Sequence, residues 1–288
     1  MKRFLKTFAI YILILIGFLF VLEFVFTYSY YNPKNPRSKV SWIMSMDSKD
    51  TLDYALFGSS RCIHSIDPTI INEKLGTNGL NLAYAASNPL EVKLSLKTLL
   101  KKKIVKRIFV QVDYSYNQLG PHPLAEISWM PFIKEDYVYD EFRVFDKKYW
   151  WIKSIPFYRY MIYDSKIGIR DLIFNYTKKG ALDQNSGYVP LYNVLKTEKI
   201  HTSQPKKIEN PHLKAVIEIC EENGIKVDFF TAPIYKFEGD HSALNKLLPN
   251  YKDFSTVVSD RNKFQDNTHI NHEGAKEFTE LFMTYYFQ

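Results

Sequence analysis

The apolar positions of the chain begin with a long run and continue as short runs separated by polar and amphipathic segments. The first run covers residues 7–22 and, after Glu23, residues 24–26, with hardly a polar interruption. A run of this length can span a bilayer. The sequence therefore predicts an N-terminal transmembrane helix.

Positive charge precedes this helix, because Lys2, Arg3 and Lys6 lie before the run and no matching cluster follows it directly. This asymmetry predicts a single-pass inner-membrane protein with a cytoplasmic N-terminus and the remaining chain outside the membrane. A cleaved signal peptide is the alternative, although no small-residue cleavage site follows the run. We predict a cytoplasmic stub and anchor at 1–28, a stalk at 29–50 and one folded domain at 51–288.

Four short segments of mainly apolar residues alternate with amphipathic segments in the rest of the chain. They predict buried strands at 54–57, 80–83, 108–112 and 227–230, with a fifth at 256–258. Helix starts are indicated at Asp67, Asn88 and Asn210, each followed by proline, and at Asn271. This alternation predicts an α/β fold with a parallel sheet and a ligand crevice beyond the carboxyl ends of its strands.

Residues 114–205 lack this alternation and are rich in aromatic side chains. We interpret them as a helical, aromatic-rich insertion in which most rings form a packed core. Some of the rings would instead line a groove that suits sugar or acyl chains.

Composition and charge narrow the class of protein. The 288 residues are 46% hydrophobic and 16% aromatic, which excludes a disordered tail. The formal charge of +7 arises from basic residues scattered among acids, and the densest basic run closes a predicted helix, so we predict no nucleic-acid partner. Cys62 and Cys220 resemble small buried hydrophobes, and their disulfide state stays open.

The candidate chemistry lies in Ser60 at the end of the first predicted strand, and in Asp266 and His269 before the last helix. A serine hydroxyl becomes a nucleophile when an imidazole takes its proton and a carboxylate orients the imidazole. Asp266 and His269 can supply both from one loop. Ser59, the preceding residue, is the alternative nucleophile. The alternative role of Ser60 is to cap the following helix.

These motifs resemble those of the SGNH (GDSL-like) hydrolase superfamily: Gly58-Ser59-Ser60 after a strand, residues 81–86 after the next, and the Asp-x-x-His pair. Within it, the chain resembles the membrane-anchored bacterial branch in which Gly-Ser-Ser replaces Gly-Asp-Ser. The resemblance covers most of residues 54–288. It implies a three-layer α/β/α flavodoxin-like domain with Ser60 as nucleophile, His269 as general base and Asp266 as orienting acid.

The same resemblance implies an oxyanion hole built from the backbone N–H groups of Ser60 and Ala86, where Ala86 replaces a usual glycine. The chain departs from the family after the third strand, since the Gly-x-Asn-Asp block is missing. Asn117 is our predicted replacement donor, and Asn88 is the alternative. We assign substrate binding to Arg61 and Asp113, with pairing of Arg61 to an acidic neighbour as the other interpretation.

A metal site is not predicted, because Asp266, His269 and His272 lack the spacing of a helical zinc motif. No cofactor is expected. The predicted function is an SGNH-like serine esterase or O-acyltransferase acting on acylated cell-envelope or exported polysaccharide, or on a small ester. The alternatives are a catalytically weak scaffold of an envelope polysaccharide or acylation complex, and a lipid-modifying hydrolase at the bilayer surface.

Overall fold

The structure is a computed structural model that describes residues 1–46, 50–180, 182 and 185–287. The chain divides into two units. The helical unit comprises residues 1–37 and 126–179, and the sheet unit comprises residues 38–125 and 180–288. The predicted insertion at 114–205 is thus shared between the units, because its central part groups with the N-terminal helix. The predicted boundaries after residues 28 and 50 stay predictions.

Thirteen α-helices lie in the described part of the chain. They are α1 Lys2–Tyr31, α2 Lys39–Ser45, α3 Ser60–Ile63, α4 Pro68–Leu75, α5 Pro89–Leu100, α6 Asp136–Phe142, α7 Lys148–Ser154, α8 Tyr158–Ile162, α9 Asp164–Ile167, α10 Ile169–Thr177, α11 Pro211–Glu222, α12 Ser242–Leu247 and α13 His272–Tyr286. Short 3₁₀ helices span Tyr114–Asn117, Glu126–Phe132 and Arg261–Lys263.

The sheet unit contains a five-stranded parallel sheet with strand order β3-β2-β5-β6-β7. The strands of the unit are β1 Thr51–Leu52, β2 Tyr54–Phe57, β3 Gly79–Asn81, β4 Ile104–Val105, β5 Arg107–Gln111, β6 Lys226–Thr231 and β7 Tyr251–Asp253, of which β1 and β4 form a separate parallel pair. The prediction of a parallel α/β fold is confirmed.

One predicted strand is wrong. Residues 256–258 lie in a turn, and the fifth strand of the sheet is β7. All three residues of β7 are only half-buried, because this strand lies at the sheet edge. An edge strand needs no continuous apolar run, so the pattern that identified the central strands does not mark it.

Helix starts follow the predicted capping residues. The side chains of Asp67, Asn210 and Asn271 each accept a backbone N–H in the first turn of α4, α11 and α13. At the start of α5, the backbone N–H of Asn88 donates to the Glu91 carboxylate at 2.9 Å. These bonds satisfy N–H groups that a helix leaves without an internal partner.

Alternating side chains of the central strands enter two different apolar clusters. One cluster contains Phe57, Val110 and Phe229 together with side chains of α5 and α11. In the other, the ring of Phe282 on α13 lies 4.9 Å from that of Phe109 and 5.2 Å from that of Phe230, between centroids. Burial of both faces of β5 and β6 explains why successive residues of these strands, and not only alternate ones, are apolar at their centres.

In the helical unit, α1 is long and apolar enough to cross a membrane, although a signal sequence has the same properties. Most of its length is exposed, and its final turns pack within the unit. There Glu23 pairs with the buried Arg159 at 2.8 Å, and the Phe26 ring lies 4.9 Å from Phe157.

The aromatic rings of the helical unit are divided between core and surface. Trp129, Phe132, Phe142, Tyr149 and Tyr160 are buried, as predicted for a packed helical segment. Phe145, Trp150 and Trp151 are exposed, and the rings of Tyr137, Tyr139, Phe157, Tyr158 and Tyr163 belong to half-buried residues.

Candidate active site

The turn after β2 places Ser60 at the first position of α3. Gly58 occupies this turn with φ 145°, and a Cβ there would lie 2.8 Å from Cβ of Gln111, so only glycine fits without strain. The Oγ of Ser59 accepts the backbone N–H of Arg61 at 3.3 Å and caps the helix. The capping role considered for Ser60 therefore belongs to Ser59.

Ser60, His269 and Asp266 form one line of hydrogen bonds across 209 residues of sequence. Oγ of Ser60 lies 2.8 Å from Nε2 of His269. Nδ1 of His269 lies 2.9 Å from Oδ2 of Asp266. Because an ionised carboxylate only accepts, Nδ1 carries the proton and Nε2 is left to accept the serine O–H. This is the arrangement that activates a serine.

The loop that carries the pair is organised by Asp266 itself. Its Oδ1 accepts the backbone N–H groups of Thr268 at 2.8 Å and His269 at 2.9 Å. Burial raises the pKa of the Asp266 carboxyl, but the hydrogen bond and charge of His269 and the bonds from Thr268 outweigh it and hold the pKa below its usual range. Asp266 is therefore an ionised carboxylate at neutral pH.

The triad is partly accessible. Ser60 is half-buried, and the side chain of His269 keeps 21% of its surface exposed. In contrast, Ser59 is buried, and its hydroxyl donates to Oε1 of Gln111 at 2.8 Å. This contact makes Ser60 the better placed of the two serines for attack on a substrate.

The backbone N–H groups of Ser60 and Ala86 have no acceptor in the described part of the chain. One hydrogen bond connects the loop of Ala86 to the turn that precedes Ser60. In it, the Tyr84 N–H donates to the Gly58 carbonyl at 3.2 Å. Ala86 has φ 61°, a left-handed conformation that favours glycine.

Arg61 and Asp113 contact each other and not an open cavity, in contrast to the substrate-binding role predicted for them. They form an ion pair in which both side chains have no exposed surface. The Arg61 guanidinium also donates to the carbonyls of Ala232, Pro233 at 3.1 Å and Thr268 at 3.1 Å. These two side chains hold loops together and have no exposed surface with which to contact a substrate. This corrects the substrate-binding role that the sequence analysis assigned to them.

Gln111 is a member of this network that the sequence analysis missed. Its Oε1 accepts from the Ser59 backbone N–H at 3.0 Å, and its Nε2 donates to Oδ2 of Asp113 at 2.6 Å. The Gln111 side chain thus connects the turn that precedes Ser60 to the end of β5. A polar residue inside the apolar segment 108–112 was the signal that could have identified it.

Asn117 is not brought into the triad. Its Oδ1 accepts the backbone N–H of Lys206 at 3.0 Å, and it lines a surface pocket that contains no triad residue. The alternative, Asn88, donates its side-chain N–H to the Gly120 carbonyl at 3.1 Å. Among the described residues no hydrogen bond joins Asn117 to the triad, so its role as an oxyanion donor stays a prediction. The two backbone groups do not depend on it.

A second Ser-His-Asp arrangement lies elsewhere in the sheet unit. Oγ of Ser203 is 2.8 Å from Nε2 of His241, whose Nδ1 is 3.2 Å from Oδ2 of Asp253. Ser203 and His241 are both buried, and the ring of Phe237 stacks on the imidazole at 4.4 Å. The Ser60 site has the greater access, and the second arrangement offers a matched control for it.

The remaining titratable groups near the triad have other partners. Nδ1 of His272 is 3.2 Å from the hydroxyl of Tyr188. Within residues 1–46, 50–180, 182 and 185–287, no group of three His, Cys, Asp or Glu is placed to hold a metal ion. Cys62 and Cys220 are free and buried, and burial raises the pKa of the Cys220 thiol to about 12.

Comparison with protein-family models and with curated proteins gave no match to this chain. The resemblance to SGNH hydrolases therefore rests on the motifs and stays a prediction, as do the catalytic roles of Ser60, His269 and Asp266.

Proposed function

We propose that this protein is a membrane-anchored serine esterase or O-acyltransferase of the SGNH type that acts on acylated carbohydrate outside the cytoplasmic membrane. The observation that carries the proposal is the contact of 2.8 Å between Oγ of Ser60 and Nε2 of His269. The carboxylate of Asp266 on the other ring nitrogen completes the proton path. A serine that only caps a helix needs neither partner.

In the proposed reaction, Oγ of Ser60 attacks the ester carbonyl carbon while Nε2 of His269 takes the hydroxyl proton. The tetrahedral intermediate collapses, and His269 returns this proton to the leaving alcohol oxygen. Water or a sugar hydroxyl then attacks the acyl-serine, with His269 again taking the proton and returning it to Ser60. Hydrolysis and transfer differ only in which hydroxyl enters second.

The negative oxygen of each intermediate requires hydrogen-bond donors. We assign this role to the N–H groups of Ser60 and Ala86, which no other hydrogen bond among the described residues uses. Loss of one such donor typically lowers the rate about a hundredfold to a thousandfold. An active site with two backbone donors and no asparagine donor is therefore expected to be slower than one that has all three.

The fold and the N-terminal helix support the proposed setting. A parallel sheet with Ser60 after β2, at its carboxyl edge, is consistent with a three-layer flavodoxin-like domain of the SGNH type. Positive residues precede α1, which is long and apolar enough to span a bilayer, so we place the N-terminus in the cytoplasm and the sheet unit outside.

The test uses the full-length protein in detergent micelles with a fluorophosphonate probe and p-nitrophenyl acetate. We expect labelling of the wild type, and loss of both labelling and hydrolysis in Ser60→Ala and His269→Ala. Ser203→Ala is the matched control, because it removes the other serine that is paired with a histidine, and it should label normally. Labelling that persists in Ser60→Ala and maps to another serine would contradict the assignment.

A catalytically weak scaffold of an envelope polysaccharide or acylation complex is the second candidate. It is favoured by the absence of the Gly-x-Asn-Asp block from the sequence and by the position of Asn117, which lines a pocket without any triad residue. Failure of the folded wild type to label with the fluorophosphonate would select this candidate over the enzyme.

A further inference from the structure

His64 lies beside the triad, at the C-cap of the short helix α3 that begins with Ser60. It follows Ser60 by four residues, and its backbone N–H donates to the Ser60 carbonyl at 3.1 Å. Residues four apart share a helix face, so both side chains point to the same side of α3. The imidazole of His64 meets that of His269 edge to face, with centroids 5.6 Å apart.

One hydrogen bond determines the tautomer of His64. Its Nδ1 lies 2.7 Å from the carbonyl oxygen of Val189. Because a carbonyl only accepts, Nδ1 carries the ring proton and donates it. Nε2 then has a lone pair, and no hydrogen bond to it is present among the described residues.

The environment of His64 keeps this lone pair available. The residue is half-buried, so part of the ring remains accessible. Burial, the largest effect, lowers the pKa of the imidazole, and the neighbouring His269 adds to this, while the Val189 carbonyl and Asp266 oppose it. The neutral ring is therefore favoured at pH 7, and an accessible acceptor lies next to the nucleophile.

We infer that Nε2 of His64 accepts a hydrogen bond from a substrate hydroxyl that is adjacent to the ester group. This role of His64 rests on the proposed function. The substrate class is thus an ester of a polyhydroxylated alcohol, such as a sugar. His64 is a specificity residue in this assignment, because it binds the alcohol part of the ester while His269 transfers the proton. Esters without the neighbouring hydroxyl leave Nε2 without a partner and lose this interaction.

The experiment compares 2-hydroxyethyl acetate with n-propyl acetate, which has similar size but no hydroxyl, on the full-length protein in micelles. His64→Asn retains an amide N–H for the Val189 carbonyl and removes the acceptor at the Nε2 position. His64→Gln extends an amide oxygen toward that position and serves as the conservative variant. Fluorophosphonate labelling of each variant reports that the Ser60 site is assembled.

We expect the wild type to prefer the hydroxyl-bearing ester. The ratio of the two kcat/KM values should fall about tenfold in His64→Asn and recover in part in His64→Gln, as expected for one hydrogen bond. An unchanged ratio in His64→Asn, whether both esters slow equally or neither does, would overturn this inference and leave the proposed function intact. A wild-type protein that neither labels nor hydrolyses either ester would overturn the proposed function and this inference together.

Discussion

Arg61, the residue after Ser60, donates its Nε–H to the backbone carbonyl of Thr268, the residue before His269, at 3.1 Å. One buried side chain thus connects the turn that carries Ser60 to the loop that carries His269. The same guanidinium holds Asp113 after β5 and the carbonyls that follow β6. The distance between Ser60 and His269 therefore depends on the buried guanidinium of Arg61, which has no exposed surface.

Replacing Asp113 by Asn should destabilise the sheet unit strongly. The change preserves the shape of the side chain but leaves the Arg61 charge buried without a counter-ion. Loss of one member of a buried pair typically costs about 3–5 kcal/mol. We expect this decrease in the free energy of unfolding, measured in urea. The matched control is Glu280→Gln, since Glu280 pairs with Lys74 at the exposed surface, and its cost should be about 0–1 kcal/mol.

Replacing Asp266 by Asn should inactivate the triad and preserve the fold. The amide oxygen can still accept the N–H groups of Thr268 and His269, but its NH₂ would face Nδ1 and favour the wrong tautomer. This change in a serine triad lowers kcat by about 10⁴-fold. The rate of fluorophosphonate labelling measures the effect, and Asp253→Asn in the second Ser-His-Asp arrangement should label at nearly the wild-type rate. Equal rates in the two variants would contradict the assigned role of Asp266.

The parts of the site that the sequence predicted are those defined by local patterns. An apolar strand that ends in glycine located Ser60, and the Asp-x-x-His spacing located a pair that one loop can bring together. Both patterns act within a few residues, so the sequence displays them directly. The contact between Ser60 and His269 required the further inference that strand ends meet at one edge of a parallel sheet.

The roles of Arg61 and Asp113 could not be predicted in the same way. A charged residue beside a nucleophile is equally compatible with substrate binding and with an internal ion pair, and only burial distinguishes the two. Burial depends on segments that are distant in the chain, here the carbonyls of Ala232 and Pro233. The edge strand β7 was missed for a related reason, because its half-exposed residues carry no continuous apolar pattern.

Glycine at position 86 should stabilise the protein, in contrast to the usual effect of glycine. Ala86 has φ 61°, and the left-handed conformation costs an L-residue about 1–2 kcal/mol, which exceeds the entropic cost of glycine of about 0.5–1 kcal/mol. We expect Ala86→Gly to raise the free energy of unfolding in urea slightly and to retain activity. Ala85→Gly is the control, because Ala85 has no positive φ, and it should be destabilising. The same sign for both changes would contradict the strain at Ala86.

Lys39 should make the stability of the sheet unit depend on pH. Its ammonium is buried, and burial lowers the pKa from 10.5 to about 7, while the nearby Cys62 opposes the shift. The neutral amine has two N–H donors, which match its two acceptors, the carbonyls of Asn81 and Gly187. Between about pH 7 and 10.5 the unfolded chain binds a proton at this residue that the folded chain does not, so stability should rise with pH.

Lys39 should contribute up to about 1.4 kcal/mol per pH unit to the slope of the unfolding free energy against pH inside that window. This contribution should vanish below about pH 7, where Lys39 is protonated in both the folded and the unfolded chain. Urea unfolding of the wild type and of Lys39→Met from pH 6 to 10 measures it. The variant loses two hydrogen bonds, which lowers its stability at every pH, so the comparison concerns the slopes. Every other titrating group is common to both proteins. A flatter curve of unfolding free energy against pH for Lys39→Met would therefore identify the contribution of the buried amine. Parallel curves would show that Lys39 titrates as an exposed lysine does.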